Sequence, residues 1–153
     1  MSSTRILAAI AALGLLAGAA SAEAVAPDNV VFKDGSVAQS LTGVAGDPKA
    51  GAKWFADRKL GNCLACHQNP DMPGQAFQGE TGPSLQGVAD RYDEAHLRGL
   101  LVNSKMTFES TMMPSFYRTS GFNRVAPKFT GKSVFEAQQV EDVLAYLKTL
   151  KDQ

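Results

Sequence analysis

Residues Cys63-Leu64-Ala65-Cys66-His67 decide how this chain of 153 residues is read. They contain both of its cysteines and one of its two histidines, in the C-x-x-C-H spacing through which haem c is attached. Cysteines at i and i+3 lie on one side of a helical turn, so two thiols can form thioethers to the two vinyl groups of one porphyrin. The following imidazole, His67, is then turned toward the iron as its proximal ligand. Two rival readings use the same residues. A thioredoxin-like redox pair normally follows a strand in an alternating strand–helix pattern, and none surrounds Gly61-Asn62. Zinc held by two cysteines and two histidines usually takes histidines several residues apart on a separate element, whereas His67 directly follows Cys66. The spacing favours one covalent haem c over a disulfide, and a disulfide over zinc.

Haem iron has a second axial position. Beyond Met1 the candidates are Met72, Met106, Met112, Met113 and the other histidine, His96. Met113 lies 46 residues beyond His67, enough chain to wrap round a cofactor, and it precedes Pro114, which biases it to extended backbone. Thioether ligation raises the potential and suits single-electron transfer. Met113 is therefore the expected distal ligand of a His/Met iron, with Met112 the alternative. The ordinary role of each remaining methionine is core packing. His96, beside Asp93, Glu94 and Arg98, reads as a surface histidine.

Outward from this motif, the first 22 residues read as a segment to be removed. Arg5 precedes the apolar run Ile6 to Ala20, and Ala20-Ser21-Ala22 closes it as an A-x-A cleavage site, so residues 1–22 are an expected signal peptide. The run is short for a bilayer span, which needs roughly 17–25 residues. Cleavage would leave a soluble periplasmic chain with no membrane insertion and a net charge of −1, since the whole sequence balances 15 Lys+Arg against 15 Asp+Glu. Such a charge offers no footprint for nucleic acid. Two cysteines also cannot build a four-thiolate zinc or iron–sulfur site.

The remainder predicts helices and ordered loops. Asp47-Pro48 is an N-cap followed by a first-turn proline, opening a helix to about Arg58. A second helix follows Asp93, with Leu97, Leu100 and Leu101 on one face. The last begins between Ser133 and Ala137, where Ser133-x-x-Glu136 offers a capping box, and runs to about Lys151. No strand pattern of useful length stands out. Glu23 to Gly46 and Phe116 to Lys132 look surplus to a minimal haem domain; the bland alternative is that they fold back over it or fray, and at least one is expected to line a partner interface.

These residues resemble the class I cytochromes c. The series Gly51-x-x-x-Phe55, Cys63-x-x-Cys66-His67, Gly82-Pro83-x-Leu85-x-Gly87, Met113-Pro114 and Asp142-Val143-x-x-Tyr146-Leu147 follows that family's order. The resemblance implies an all-α fold, a single class I cytochrome c domain wrapped round one haem. It divides the chain into the signal peptide (1–22), an N-terminal extension available for partner contact (23–46) and the cytochrome c domain (47–153). It also implies that the first and last helices cross at Gly51 near Tyr146, and that the Pro83 carbonyl accepts a hydrogen bond from the His67 imidazole.

Four further blocks narrow the likeness: Ser40-Leu41-Thr42-Gly43, Gly82 to Tyr92, Thr111 to Tyr117, and Asn123-Arg124-Val125-Ala126-Pro127. From about Val30 to Leu150 the chain is similar to the SoxX family, the monohaem subunits of SoxAX complexes. That resemblance implies a heterodimer with a haem-bearing SoxA-type subunit, acting as an L-cysteine S-thiosulfotransferase that joins thiosulfate oxidatively to a cysteine of the SoxYZ carrier. This chain would not be catalytic alone; it would pass electrons toward a downstream acceptor. Its alternative is a freely diffusing electron carrier, although an even charge argues against the usual lysine ring. A haem peroxidase would need an open sixth position and a distal acid or base, which a Met113 ligand and one spare histidine do not supply.

Overall fold

The computed structural model describes residues 23–152. The signal-peptide reading of residues 1–22 falls outside them. Four α-helices form the frame: α1 (Pro48–Ala56), α2 (Val88–Arg91), α3 (Glu94–Asn103) and α4 (Ala137–Leu147), joined by loops and short 3-10 turns. Among the described residues there is no named strand, and no helix is long and apolar enough to cross a membrane.

Local chemistry sets the helix ends. The Asp47 side chain accepts from the Lys49 N–H at 2.8 Å and Pro48 supplies the first turn, so α1 starts where its cap predicts. It stops at Ala56 rather than Arg58 because Asp57 is already extended. Asp93 caps α3 through the His96 N–H at 2.8 Å. The capping box of α4 is Glu136 with Gln139, not Ser133 with Glu136; the Ser133 hydroxyl instead donates to the Phe135 carbonyl at 2.6 Å. That helix ends at Leu147, short of Lys151. The tail beyond it stays packed, with Leu150 buried and its carbonyl accepting from the Ala89 N–H at 3.0 Å.

Helix α1 packs across α4, and Gly51 is the contact point. A Cβ there would stand 1.9 Å from the Asp142 carbonyl oxygen, so only glycine permits the approach. The crossing is thus at Asp142–Val143, a turn before Tyr146, whose ring meets Phe55 edge-on at 5.4 Å. Asp142 ties the crossing with polar bonds: its carboxylate accepts from the Asp47 N–H at 2.9 Å and the Trp54 indole at 3.3 Å.

The N-terminal stretch folds back onto this frame. Val37 and Leu41 are both buried in the core with Leu97, Phe135, Val140 and Leu144. Asp34 and Gly35 take positive φ in a tight turn, and Gly35 lies so close to α3 that a Cβ on Gly99 would be 2.0 Å from the Gly35 carbonyl oxygen. A buried ion pair locks the two together. Arg98 Nε donates to Glu141 Oε1 at 2.9 Å, Arg98 Nη1 to the Val37 carbonyl at 3.0 Å, and the Leu41 N–H to Glu141 Oε1 at 2.8 Å. Arm, α3 and α4 therefore share one satisfied polar cluster.

The second surplus segment divides. Phe116 and Tyr117 are core residues, Phe116 stacked on Phe135 at 5.2 Å and the Tyr117 hydroxyl donating to the Val25 carbonyl at 2.7 Å. Residues 120–128 are exposed, with Arg118 over the Phe122 ring.

Candidate functional site

The cysteine–histidine motif starts immediately beyond α1. Asn62 sits in the left-handed region at φ 48°, and the chain then winds into a 3-10 turn, Cys63–Ala65. Carbonyls of Asn62 and Cys63 receive the Ala65, Cys66 and His67 N–H groups at 3.0–3.1 Å, which sets the two thiols on one turn. Leu64 points into the core and anchors it. Gly61 is forced by crowding: a Cβ would lie 2.7 Å from the Phe135 ring and 2.8 Å from the Trp54 carbonyl oxygen. The two cysteines form no disulfide with each other. Before any bond is made to it, burial, assisted by the neighbouring Cys66, pushes the Cys63 thiol up to about 12.

A second stretch of chain runs beside the motif and completes it. The Gly79, Gly82 and Leu85 N–H groups donate to the carbonyls of Leu64, Cys66 and Gln68 at 2.7–2.9 Å. This brings the Pro83 carbonyl to 2.7 Å from His67 Nδ1. A carbonyl only accepts, so Nδ1 carries the proton and Nε2 keeps its lone pair for a metal. Gly82 lies against the ring itself, where a Cβ would be 2.4 Å from Cε1. Arg91 staples the loop by donating to the Ser84 carbonyl at 2.8 Å and to that of Gln86.

The methionines separate by exposure. Met113 is half-buried against the core, whereas the adjacent Met112 is 75% exposed and Met106 is 51% exposed. Met72 also packs on the core, its carbonyl held by Gln78 Nε2 at 2.9 Å. His96 pairs with Asp93 at 3.2 Å, as a surface histidine does. Direct hydrogen bonds and chain continuity join Cys63, Cys66, His67 and Pro83. Met113 is held by a different set, on the C-terminal end of α3: the Ser104 hydroxyl donates to its carbonyl at 2.9 Å.

Two residues with no signal in the sequence, Asn69 and Gln78, support the motif. Asn69 is 1% exposed, and its Nδ2 donates to the Tyr146 hydroxyl at 2.7 Å while its N–H donates to Gln78 Oε1 at 2.6 Å. The segment just past His67 is thereby fastened to α4. No spacing signals this, because an asparagine and a glutamine in a Gly/Pro-rich stretch read as solvated loop.

The donor set fits haem c: two thiols on one turn, an imidazole with Nδ1 engaged and Nε2 available, and a thioether turned inward. Among the described residues no three of His, Cys, Asp and Glu converge as a metal-binding group, so iron here would need the nitrogens of a porphyrin.

Residues 48–151 match the cytochrome c family. No curated protein matches the chain. Among solved structures, it is similar to a chain of SoxXA from P. pantotrophus, at 46% identity and a TM-score of 0.80, over 84% of this chain and 99% of that one. With the haem motif and the fold in agreement, the chain belongs to the cytochrome c family, in its SoxX branch, and its cofactor is a covalently bound haem c.

Proposed function

We propose that this chain is the electron-transfer subunit of a SoxAX-type heterodimer in the periplasm, delivered there by cleavage of residues 1–22. The observation that carries the proposal is the likeness to SoxXA over 99% of that chain, which favours a partnered subunit over a freely diffusing carrier. The complex would act as an L-cysteine S-thiosulfotransferase, with SoxYZ as carrier and a downstream electron acceptor. Joining thiosulfate to a carrier thiol forms one S–S bond and releases a proton and two electrons. Haem c, when bound, supplies a one-electron iron couple.

This chain's own residues fill the supporting roles. Cys63 and Cys66 tether the group, which leaves no free thiol to act as nucleophile and puts the bond-forming chemistry on the partner. His67 Nε2 would hold the iron, with its ring fixed by the Pro83 carbonyl and the bare face of Gly82. The Met113 thioether would hold the iron as its second ligand, its inward packing favouring it over Met112. A fixed ligand geometry suits outer-sphere transfer, since little has to move when an electron arrives.

Gel filtration of native periplasm, followed by haem absorbance, tests the reading. Co-elution with a second haem protein above the size of the monomer, with haem reduction on adding thiosulfate and SoxYZ, is the expected result. A haem-absorbing monomer unaffected by thiosulfate would replace it with the diffusing carrier.

A further inference from the structure

The segment after Met112 is docked on the end of α3 by side-chain bonds as well as main-chain ones. Ser104 is 0% exposed, and its hydroxyl donates to the Met113 carbonyl at 2.9 Å. Lys105 Nζ donates to the same carbonyl. The Met113 N–H donates to Thr111 Oγ1 at 3.2 Å, and the buried Ser115 hydroxyl donates to Asn103 Oδ1 at 2.6 Å. The Phe116 and Tyr117 N–H groups then reach the Leu101 and Val102 carbonyls at 3.1 and 3.2 Å. Pro114 has no N–H, so between Met113 and Phe116 the register depends on side chains.

Register matters here because two methionines are adjacent. The two side chains face opposite ways, and a slip of one residue would exchange them. Met113 faces the core and Met112 faces outward at 75% exposure. We infer that Ser104, backed by the Asn103–Ser115 bond, is a positioning residue that selects Met113 over Met112 and keeps its thioether seated against iron. The inference rests on the Met113 ligand reading. Ser104 touches the Met113 backbone and acts only through it. Without its hydroxyl the carbonyl keeps the flexible Lys105 side chain alone, and the segment gains freedom to slip or lift.

Haem-loaded full chain carrying Ser104→Ala, Ser104→Thr, Met112→Leu or Met113→Ala tests this by two readouts: the red charge-transfer band of methionine-ligated ferric haem, and the affinity for added imidazole. Ser104→Ala should weaken the band and raise imidazole affinity by more than about twofold and up to about tenfold, the range one buried hydrogen bond spans. Ser104→Thr, which keeps a donor, should restore both, and Met112→Leu should change neither. If Ser104→Ala fails to accumulate, Ser115→Ala, which frees the neighbouring Asn103, must show the same loosening. A band that survives Met113→Ala would overturn the ligand reading and this inference with it. A band lost in Met113→Ala, with imidazole affinity in Ser104→Ala and Ser115→Ala within about twofold of the unaltered chain, would overturn the inference alone.

Discussion

The His67 side and the Met113 side of this site are held in different ways. Around His67 the main chain does most of the holding: N–H groups of residues 65, 66, 67, 79, 82 and 85 pair with carbonyls in and beside the motif, the imidazole itself bonds a backbone carbonyl, and the side chains of Asn69, Gln78 and Arg91 brace the loop. Around Met113 itself the retaining bonds come from the side chains of Ser104, Lys105, Thr111 and the Ser115–Asn103 pair, main-chain bonds to α3 resuming only at Phe116 and Tyr117. A main-chain lattice is tolerant of side-chain change except where glycine is demanded. A side-chain lattice fails one residue at a time. The proximal half should therefore behave as a rigid seat, and the distal half as an adjustable arm.

The largest expected effect comes from removing the arm's ligand. Met113→Ala should lower the midpoint potential by on the order of 0.2 V, a fraction of the ~0.8 V that axial ligands command, while the haem stays attached through Cys63 and Cys66. Potentiometry on purified protein checks it, and an unchanged potential would move the assignment to Met112 or Met72.

Next is the frame on which both halves depend. Glu141→Ala leaves the buried Arg98 guanidinium with only the half-exposed Glu94 as counter-ion and the Leu41 N–H without its acceptor. Loss of one partner from a buried pair costs about 3–5 kcal/mol. Denaturant unfolding should show that loss in a single transition whether followed at the haem or by helix content. Separate transitions would mean that the two halves are not carried by one frame.

Gly82→Ala tests the seat alone. Its Cβ would enter the His67 ring, 2.4 Å from Cε1, and overpacking of this kind costs roughly 1–3 kcal/mol. The proximal imidazole must tilt, so the Soret spectrum should shift while imidazole affinity at the distal side stays near that of the unaltered chain. A loosened distal side in this variant would erase the contrast between seat and arm.

The same contrast explains which parts of the molecule are legible in the amino-acid sequence. The cysteine–histidine motif, Gly82-Pro83 and Gly51 are legible because the backbone demands particular residue types there: thiols at i and i+3, an acceptor with no N–H of its own, and glycine where two chains meet. The onset of α1 and α3 is legible for a related reason, since Asp47 and Asp93 cap N–H groups only two or three residues ahead. The cap of α4 is not, because Ser133 and Glu136 satisfy the motif equally well on paper, and only the Ser133 bond to the Phe135 carbonyl decides between them. Ser104, Asn69 and Gln78 are invisible for a deeper reason. Each is a common polar residue whose partner lies 9 residues away or, for Asn69 and Tyr146, 77 away. The buried Arg98–Glu141 pair likewise reads as two surface charges until α3 and α4 are packed and the arm is laid over them.

The smallest expected effect is electrostatic, and it falls on α3, the helix that carries the Met113 clamp at its far end. Lys148 and then Arg98 hold the Glu94 carboxyl below its ordinary value, and the His96 N–H does the same for the capping carboxylate of Asp93. A carboxyl whose folded pKa is depressed stabilises the fold fully above its unfolded value, and that contribution fades as pH falls through the folded one. The loss should therefore begin near the ordinary glutamate value of about 4.3 and deepen below it. Glu94 is half-exposed, so solvent screening keeps its share to about 1 kcal/mol or less. Both groups sit at the first turn of α3, the helix whose far end carries the Ser104 clamp on the Met113 carbonyl. Acid titration should thus weaken the methionine charge-transfer band before the proximal imidazole signature changes, and Glu94→Gln should flatten the early part of that curve. If the imidazole signature moves first, the start of α3 does not govern the arm, and the weaker half of the site must be sought at the seat.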